Sequence, residues 1–322
     1  MNAFAKALQA LPVGRYLLAV SGGRDSMALL HAFSEVRPSE LSAVATFDHG
    51  TGAAATEAVD LVVGECLRCG ISVVAGRAPE RLGDARPSEA VLRTARWVFL
   101  RAVAEERRAV VVTAHTRDDQ AETVAMRILR DASARGLAAM AWPSPGVVRP
   151  LLHLSRSDVV RYAAEAGIRH VEDPSNRDPA YLRNRLRADL LAAAEAARPG
   201  FREELLVIGR RAAAWRTEMA RLVDTLGARR VDRAVVVEAG ALVSLSRDGL
   251  SAVWPEVAGR AGFVLDRRGI ERVAEWTPRA RPGQRIPLSG GVVIERTART
   301  FVVRMAAGAP GEGPPQDAAG LP

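Results

Sequence analysis

Four short apolar runs, each separated from the next by a helix-length stretch, restrict the first half of this chain to an α/β fold. The runs are Arg15–Val20, Leu41–Phe47, Ile71–Val74 and Val110–Thr113. The helical stretches between them are Met27–Ser34, about Thr56–Cys69, and Ser88–Glu106. A hairpin needs only a few residues between strands, whereas a helix-length connection returns the chain in the same direction. The alternation therefore predicts a parallel, Rossmann-like sheet with helices on both faces. Val110-Val111-Val112 has no polar alternation, which is how a strand buried on both sides reads. Open sheets of this kind gather ligands at the carboxyl ends of their strands, so the residues just past each run carry the functional expectation.

The rest of the chain has a different texture. Trp142-Pro143-Ser144-Pro145-Gly146 is a turn cluster leading to Arg149-Pro150-Leu151-Leu152. Ser155–Ala166 reads as a helix with Ser155 as N-cap, Asp158 three residues on, and Gly167 at its end. Tyr181 to about Gly227 is rich in Ala, Leu and Arg and reads as helical, with a break at Pro199-Gly200. Beyond Val231, the β-like stretches Ala234–Val237, Gly291–Ile294 and Thr300–Val303 flank a helical piece. The expected organisation is a catalytic domain over 1–190, a helical connector over 191–230 and a small α+β domain over 231–305. The Gly/Pro/Ala-rich tail over 306–322 is expected to be disordered.

Composition narrows the setting. The chain has no run of about 18 apolar residues, so no transmembrane helix is expected. Its N-terminal apolar residues are interrupted by Lys6, Gln9, Pro12 and Arg15, which is unlike a signal peptide and predicts a cytoplasmic protein. Only two cysteines occur, so there is no disulfide framework. The net charge of +8 suits a polyanionic partner. Lys6 is the only lysine, however, and an arginine-biased genome would raise the charge equally well.

Immediately after the first strand comes Ser21-Gly22-Gly23-Arg24-Asp25-Ser26. Small residues between a strand and a helix can aim successive backbone N–H groups at an anion, and the helix dipole adds partial positive charge. Gly22 and Gly23 allow close approach, and Ser21 and Ser26 add hydroxyls. Asp25 is the informative residue: a carboxylate beside phosphates is repulsive unless it serves Mg2+ or the helix start. Neither GxxxxGK[ST] nor GxGxxG fits the loop.

SGG-x-DS resembles the pyrophosphate loop (PP-loop) of the N-type ATP pyrophosphatases. Four further segments resemble motifs of one branch, the tRNA(Ile)-lysidine synthetases. Asp48-His49-Gly50 is similar to the start of DHGLR, and Arg93-Thr94-Ala95-Arg96-Trp97 to R-x-A-R-Y. Ala114-His115-Thr116-Arg117-Asp118-Asp119-Gln120-Ala121-Glu122-Thr123 is similar to AHHxDDQAET. Glu172-Asp173-Pro174-Ser175-Asn176-Arg177-Asp178 with Tyr181-Leu182-Arg183-Asn184-Arg185-Leu186-Arg187 is similar to EDPSNxD…YxRNxxR. The resemblance is strong to about residue 190 and weaker to residue 304.

The resemblance implies that ATP adenylates the C2 oxygen of the wobble cytidine in an isoleucine tRNA with anticodon CAU. The ε-amine of free L-lysine then displaces AMP, giving lysidine. ATP and Mg2+ are the implied cofactors, with Asp25 as the metal-side carboxylate and Ser21 to Ser26 as the ATP loop. The family's lysine-binding residues match Asp119 and Glu122, which lie three apart on a helix's first turn and so share a face. Carboxylates are also favoured there by the helix dipole alone. Arg93 and Arg96 have guanidinium forks suited to phosphate or to the adenylated intermediate. Arg183, Asn184, Arg185 and Arg187 form a basic cluster that could grip tRNA. A homodimer is left open.

Three positions depart from the family pattern. Thr51-Gly52 replaces Leu-Arg after Asp48-His49-Gly50, Thr116 replaces the second histidine of AHH, and Arg130-Asp131-Ala132-Ser133 replaces RGSG. Three rival readings remain: a PP-loop tRNA thiolase, a non-catalytic RNA-binding relative, and a small-molecule ligase. Cys66-Leu67-Arg68-Cys69 invites the first, but iron–sulfur and structural zinc sites want about four ligands and the chain has no third cysteine.

Overall fold

The computed structural model describes residues 3–50, 52–78, 89–141, 144–172 and 178–306. The tail expected to be disordered lies, from residue 307 onward, outside the described residues. The chain forms two compact units: residues 1–126 with 143–206, and residues 127–142 with 207–322. A linear reading of the sequence has no place for the excursion 127–142, which the chain makes into the second unit before returning.

The first unit opens with α1 (Ala3–Gln9), β1 (Tyr16–Ala19), α2 (Arg24–Val36), β2 (Leu41–Asp48), α3 (Ala53–Arg68) and β3 (Val73–Arg77). It continues with α4 (Glu89–Arg107), β4 (Val110–Val112) and α5 (Arg117–Leu129), whose last turn enters the second unit. There the short α6 (Ala134–Leu137) follows, before the chain returns through β5 (Val147–Val148) and α7 (Arg156–Glu165). The strands make one sheet in the order β3-β2-β1-β4-β5, all pairs parallel, as the alternation predicts. The two-residue β5 falls where the sequence shows only a turn cluster and an Arg-Pro pair.

Side chains alternate across this sheet. Leu18, Val44 and Val112 pack with Phe4 and Leu8 of α1, Leu29 and Phe33 of α2, Val62 and Cys66 of α3, and Val159 of α7. The intervening Leu17, Ala43 and Val111 are also buried and point to the other face, where α4 runs against β1 to β4. Burying one Leu- or Phe-sized side chain contributes about 1.5–3 kcal/mol, so both layers stabilise the sheet. Cys66 lies in this core and burial pushes its thiol up to about 11, as expected of a small hydrophobe, while Cys69 is exposed.

After α7 the chain forms α8 (Leu182–Arg185), a π-helical turn at Leu186–Leu190, and α9 (Leu191–Ala197). The break expected at Pro199-Gly200 separates these from α10 (Phe201–Thr225). The second unit holds β6 (Arg229–Val231), β7 (Ala234–Glu238), α11 (Ala239–Val243), α12 (Arg247–Arg260) and α13 (Arg267–Trp276), then β8 (Arg285–Pro287), β9 (Val292–Arg296) and β10 (Thr300–Met305). Its sheet is antiparallel, in the order β6-β7-β10-β9-β8. Trp254 and Trp276 meet Phe301 edge-on, and the Trp254 indole N–H donates to Thr277 Oγ1 at 2.9 Å. Arg135 secures the excursion: it donates to Pro255 O at 2.9 Å and stands 3.4 Å from the buried Glu256 carboxylate.

Candidate functional site

The strand order reverses between β1 and β4. Strands that diverge at such a point leave a crevice at their carboxyl ends. β1 leads into the Ser21–Ser26 loop and β4 into the helix bearing Asp119 and Glu122, and the two strands are paired Tyr16↔Val110 through Leu18↔Val112. Two motifs more than ninety residues apart in sequence are thus brought side by side by the topology.

The phosphate loop is held by its own hydroxyls. Ser26 Oγ donates to Gly23 O at 2.9 Å and accepts from Ser21 N at 3.1 Å, with Ser21 Oγ 3.2 Å away. Gly22 has φ +78°, and a Cβ there would fall 2.6 Å from Ala58 O, so glycine is required both by backbone conformation and by the approach of α3. α2 begins at Arg24, three residues before the expected start, so Arg24, Asp25 and Ser26 are its first turn. Gly23 at its N-cap supplies no side-chain cap, leaving first-turn N–H groups available to an anion. Burial pushes the Asp25 carboxyl above its usual range and nearby Asp119 adds to this, while Arg156 and Arg24 pull it back.

On the other side of the crevice, Thr116 starts α5. Its N–H and hydroxyl donate to Asp119 Oδ2 at 2.8 and 2.9 Å, while Asp119 N approaches Thr116 Oγ1 at 3.4 Å. This is a capping box, so threonine in place of the family's second histidine acts as a helix cap. The other Asp119 oxygen, Oδ1, accepts from Arg183 Nη2 at 3.0 Å. Glu122, one turn on and only 1% exposed, takes Arg187 Nε on Oε1 at 2.6 Å. Its Oε2 takes Arg183 Nε and Arg187 Nη2, both at 2.9 Å. Arg156, the first residue of α7, brings a third guanidinium 3.8 Å from Glu122 and 3.9 Å from Asp119. Charges buried this deeply persist only when paired.

The four-residue basic cluster divides. Arg183 and Arg187, four apart, face the carboxylates just where the chain takes its π-helical turn, a feature frequent at functional sites. Asn184 Nδ2 donates to Asp178 O at 2.9 Å and Arg185 Nη1 to Pro179 O at 2.9 Å, so these two hold the preceding turn. Arg93 and Arg96 on α4 lie on the same side as His115. His115 Nδ1 is 2.8 Å from Thr113 Oγ1. Burial drives its imidazole well below the ordinary value, and Arg149, Arg183, Arg96 and Arg93 all push the same way, so it is neutral. His49 packs edge-on against Phe47. Residues 173–177, the centre of the Glu172–Asp178 motif, lie outside the described residues.

Sequence reasoning missed Arg149, Arg156 and the capping role of Thr116. The available signal was positional. Arg149 directly follows β5, and Arg156 is the N1 residue of a capped helix that begins beyond the same end of the sheet.

Residues 1–194 match the PP-loop domain family. A tRNA(Ile)-lysidine synthase of Novosphingobium aromaticivorans is 42% identical over 196 residues, covering 58% of this chain and 59% of that protein. One of Thermobifida fusca is 39% identical over 209 residues, covering 63% and 64%. The chain thus spans about three fifths of the length of these relatives. One of Salinispora arenicola is 32% identical over 320 residues, covering 94% of this chain and 95% of that protein. Among solved structures, a U34-tRNA thiolase of Methanococcus maripaludis shares the fold, with a TM-score of 0.54 at 16% identity over 66% of this chain and 78% of that one. With its PP-loop domain and a match at 32% identity over 94% of its residues, the chain belongs to the tRNA(Ile)-lysidine synthase family.

Proposed function

We propose that this protein is a cytoplasmic ATP-dependent ligase that adenylates the wobble cytidine C2 oxygen of a CAU-anticodon isoleucine tRNA and then joins free L-lysine to that carbon through its ε-amine. The observation that carries the reading is the crevice between β1 and β4. It sets an uncapped phosphate loop with Asp25 opposite an acidic pair, Asp119 and the buried Glu122. The loop would hold the β- and γ-phosphates as pyrophosphate departs, and Arg93 and Arg96 would contact the adenylate. In this reading residues 1–190 carry the chemistry, 191–230 connect, and 231–305 form the smaller domain.

Asp119 and Glu122 would hold the lysine ammonium and then take its proton. Lysine's ordinary pKa of about 10.4 leaves about one amine in 2,500 neutral at pH 7, a cost of about 4.6 kcal/mol that a nearby carboxylate base offsets. Arg183 and Arg187 occupy these carboxylates in the free protein. They would turn to the anionic nucleotide or tRNA when substrates enter, freeing the pair for lysine. Asn184 and Arg185 would support the tRNA-facing turn.

The residues also fit Mg2+. Asp25 is pushed up partly by Asp119, a repulsion that a divalent cation would relieve. The described residues contain no cluster of three acidic, His or Cys ligands, so Mg2+ would take its other oxygens from phosphate and water. When bound, it would neutralise phosphate charge.

The test is to incubate protein, ATP with Mg2+, labelled lysine and the CAU-anticodon tRNA, omitting each in turn. Label should enter tRNA only in the complete mixture, with AMP released stoichiometrically. Label transfer without ATP, or sulfur transfer in place of lysine, would overturn the reading.

A further inference from the structure

The three arginines at the acidic pair are not held alike. Arg183 and Arg187 donate to it at 2.6–3.0 Å. Arg156 Nη2 stands 3.8 and 3.9 Å from the nearest carboxylate oxygens, beyond hydrogen-bond reach, and its Nε is buried with no hydrogen-bond partner among the described residues. The oxygens it faces already have closer donors: Glu122 Oε1 takes Arg187, and Asp119 Oδ1 takes Arg183. A third cation therefore sits in the crevice without a hydrogen bond of its own among the described residues.

Its backbone, by contrast, is fixed. Ser155 and Asp158 close a capping box around the start of α7, and Arg156 N donates to Asp118 Oδ2 at 2.8 Å, stapling α7 to α5. Arg117 N returns the tie by donating to Leu154 O at 2.9 Å. The arrangement is an anchored base with an uncommitted guanidinium, and its charge reaches Asp25 of the phosphate loop as well as Asp119 and Glu122.

This inference rests on the reaction proposed above. The phosphate loop would take pyrophosphate and the acidic pair the amine. The α-phosphorus is bonded first to the departing pyrophosphate and then to the oxygen on the carbon that the amine attacks. It must therefore lie between those two places. We propose that Arg156 is a catalytic residue that grips the two non-bridging oxygens of that α-phosphate. In the first step the cytidine oxygen–phosphorus bond forms and the phosphorus–oxygen bond to pyrophosphate breaks, with the electron pair leaving on pyrophosphate. In the second, the amine nitrogen–carbon bond forms and the carbon–oxygen bond breaks, with the pair leaving on AMP and the amine proton passing to the acidic pair. The α-phosphate stays anionic throughout, and a planar bidentate fork matches its paired oxygens.

The experiment measures AMP transfer to tRNA in a single turnover without lysine. It compares the wild type, Arg156→Gln and Arg156→Lys, each with ATP and with the two α-thio diastereomers of ATP. Arg156→Gln should slow transfer by about 100-fold at saturating ATP, the usual effect of losing a donor aimed at developing charge. Arg156→Lys should recover part of the rate. The wild type should discriminate between the diastereomers, and both variants should discriminate less, a change that a purely structural arginine would not produce. Transfer by Arg156→Gln at the wild-type rate, or unchanged diastereomer preference in both variants, would overturn the inference. If Arg156→Gln does not fold, the Arg156→Lys preference decides alone. A wild-type enzyme that transfers no AMP would overturn the underlying reaction instead, so the two failures are distinguishable.

Discussion

Two arginines in the same unit, the buried Arg37 and the partly exposed Arg156, show how a cation that builds the fold differs from one kept for use. Arg37 is 8% exposed, and all five of its N–H groups are spent. It donates to the carbonyls of Leu8, Leu11 and Pro12 at 2.6–2.8 Å, and its fork meets Glu40 at 2.8 and 2.6 Å. Glu40 in turn accepts from Gly14 N at 2.8 Å. This network closes the end of α1 onto the end of α2 and leaves nothing over. Arg156 has a well-anchored backbone but a guanidinium with no hydrogen bond among the described residues. A saturated donor set has no capacity for a ligand, whereas an unsaturated one in a crevice has.

Arg37→Met should have the largest effect on stability. Removing Arg37 takes a charged donor from three backbone carbonyls, and a hydrogen bond to a charged group contributes about 1.5–3 kcal/mol. Chemical denaturation should show a loss of that size, while AMP transfer per folded molecule stays at the wild-type level. A fall in transfer without a fall in stability would make Arg37 part of the site.

Glu122→Gln should act in the opposite sense, sparing adenylation and impairing lysine transfer. Losing a charge-assisted contact to a buried ammonium costs about 1.5–3 kcal/mol, or about 10- to 160-fold in lysine affinity. If the same carboxylate is also the base, saturating lysine will not restore the rate, but raising the pH will, by supplying neutral amine. The measurement is AMP-tRNA trapped without lysine, set against lysine incorporation across pH. Wild-type lysine transfer by both Glu122→Gln and Asp119→Asn would remove the acidic pair from the lysine site.

The parallel sheet was legible because its strands are continuous apolar runs and its crossovers helical. Asp25, Asp119 and Glu122 stood out in the sequence because each lies in a motif that begins just past a strand. What escaped was pairing that depends on topology. The sequence offers Arg183 and Arg187 as part of a basic run suited to tRNA. Only the fold, which brings residues 61 to 65 positions away to within 3 Å, shows that their guanidinium groups face Glu122 and Asp119. β5 escaped because two residues carry no periodicity, and Arg149 went with it. The excursion at 127–142 escaped because its ties run to partners more than a hundred residues away, Arg135 to Pro255 and Glu256 and Asp131 to Arg267.

Thr116 gives a smaller effect that separates cap from catalyst. Thr116→Val removes the hydroxyl and should cost about 1 kcal/mol of stability, the usual value of an N-cap, whereas Thr116→Ser should cost almost nothing. Because the hydroxyl also fixes Asp119 Oδ2, the valine variant should bind lysine more weakly as well. Thermal unfolding and the lysine KM together check this. If the valine variant matches the wild type in both, the capping box contributes nothing to either.

The smallest expected effect concerns Asp25, and there the sign is the test. Its carboxyl is raised above the ordinary value by burial and then by Asp119. A group raised in the folded state binds its proton more tightly there than in the unfolded chain. As pH rises from the ordinary carboxyl range through the folded value, the folded state must give up a proton it holds more tightly than the unfolded chain does, and stability falls. Ionised Asp25 is therefore a liability of the free protein at neutral pH, partly offset by Arg156 and Arg24. Asp25→Asn should make the free protein slightly more stable at pH 7 and remove that part of the decline with pH, and, in the proposed reaction, it should impair adenylation by removing a carboxylate beside Mg2+ and pyrophosphate. A residue that costs stability in the free protein is kept for what it does with ligand. Thermal unfolding of wild type and variant across pH 4 to 8, without nucleotide, measures the difference. A less stable Asp25→Asn at pH 7 would mean that the carboxylate earns its place as a helix-start residue of α2, on the same footing as Arg37.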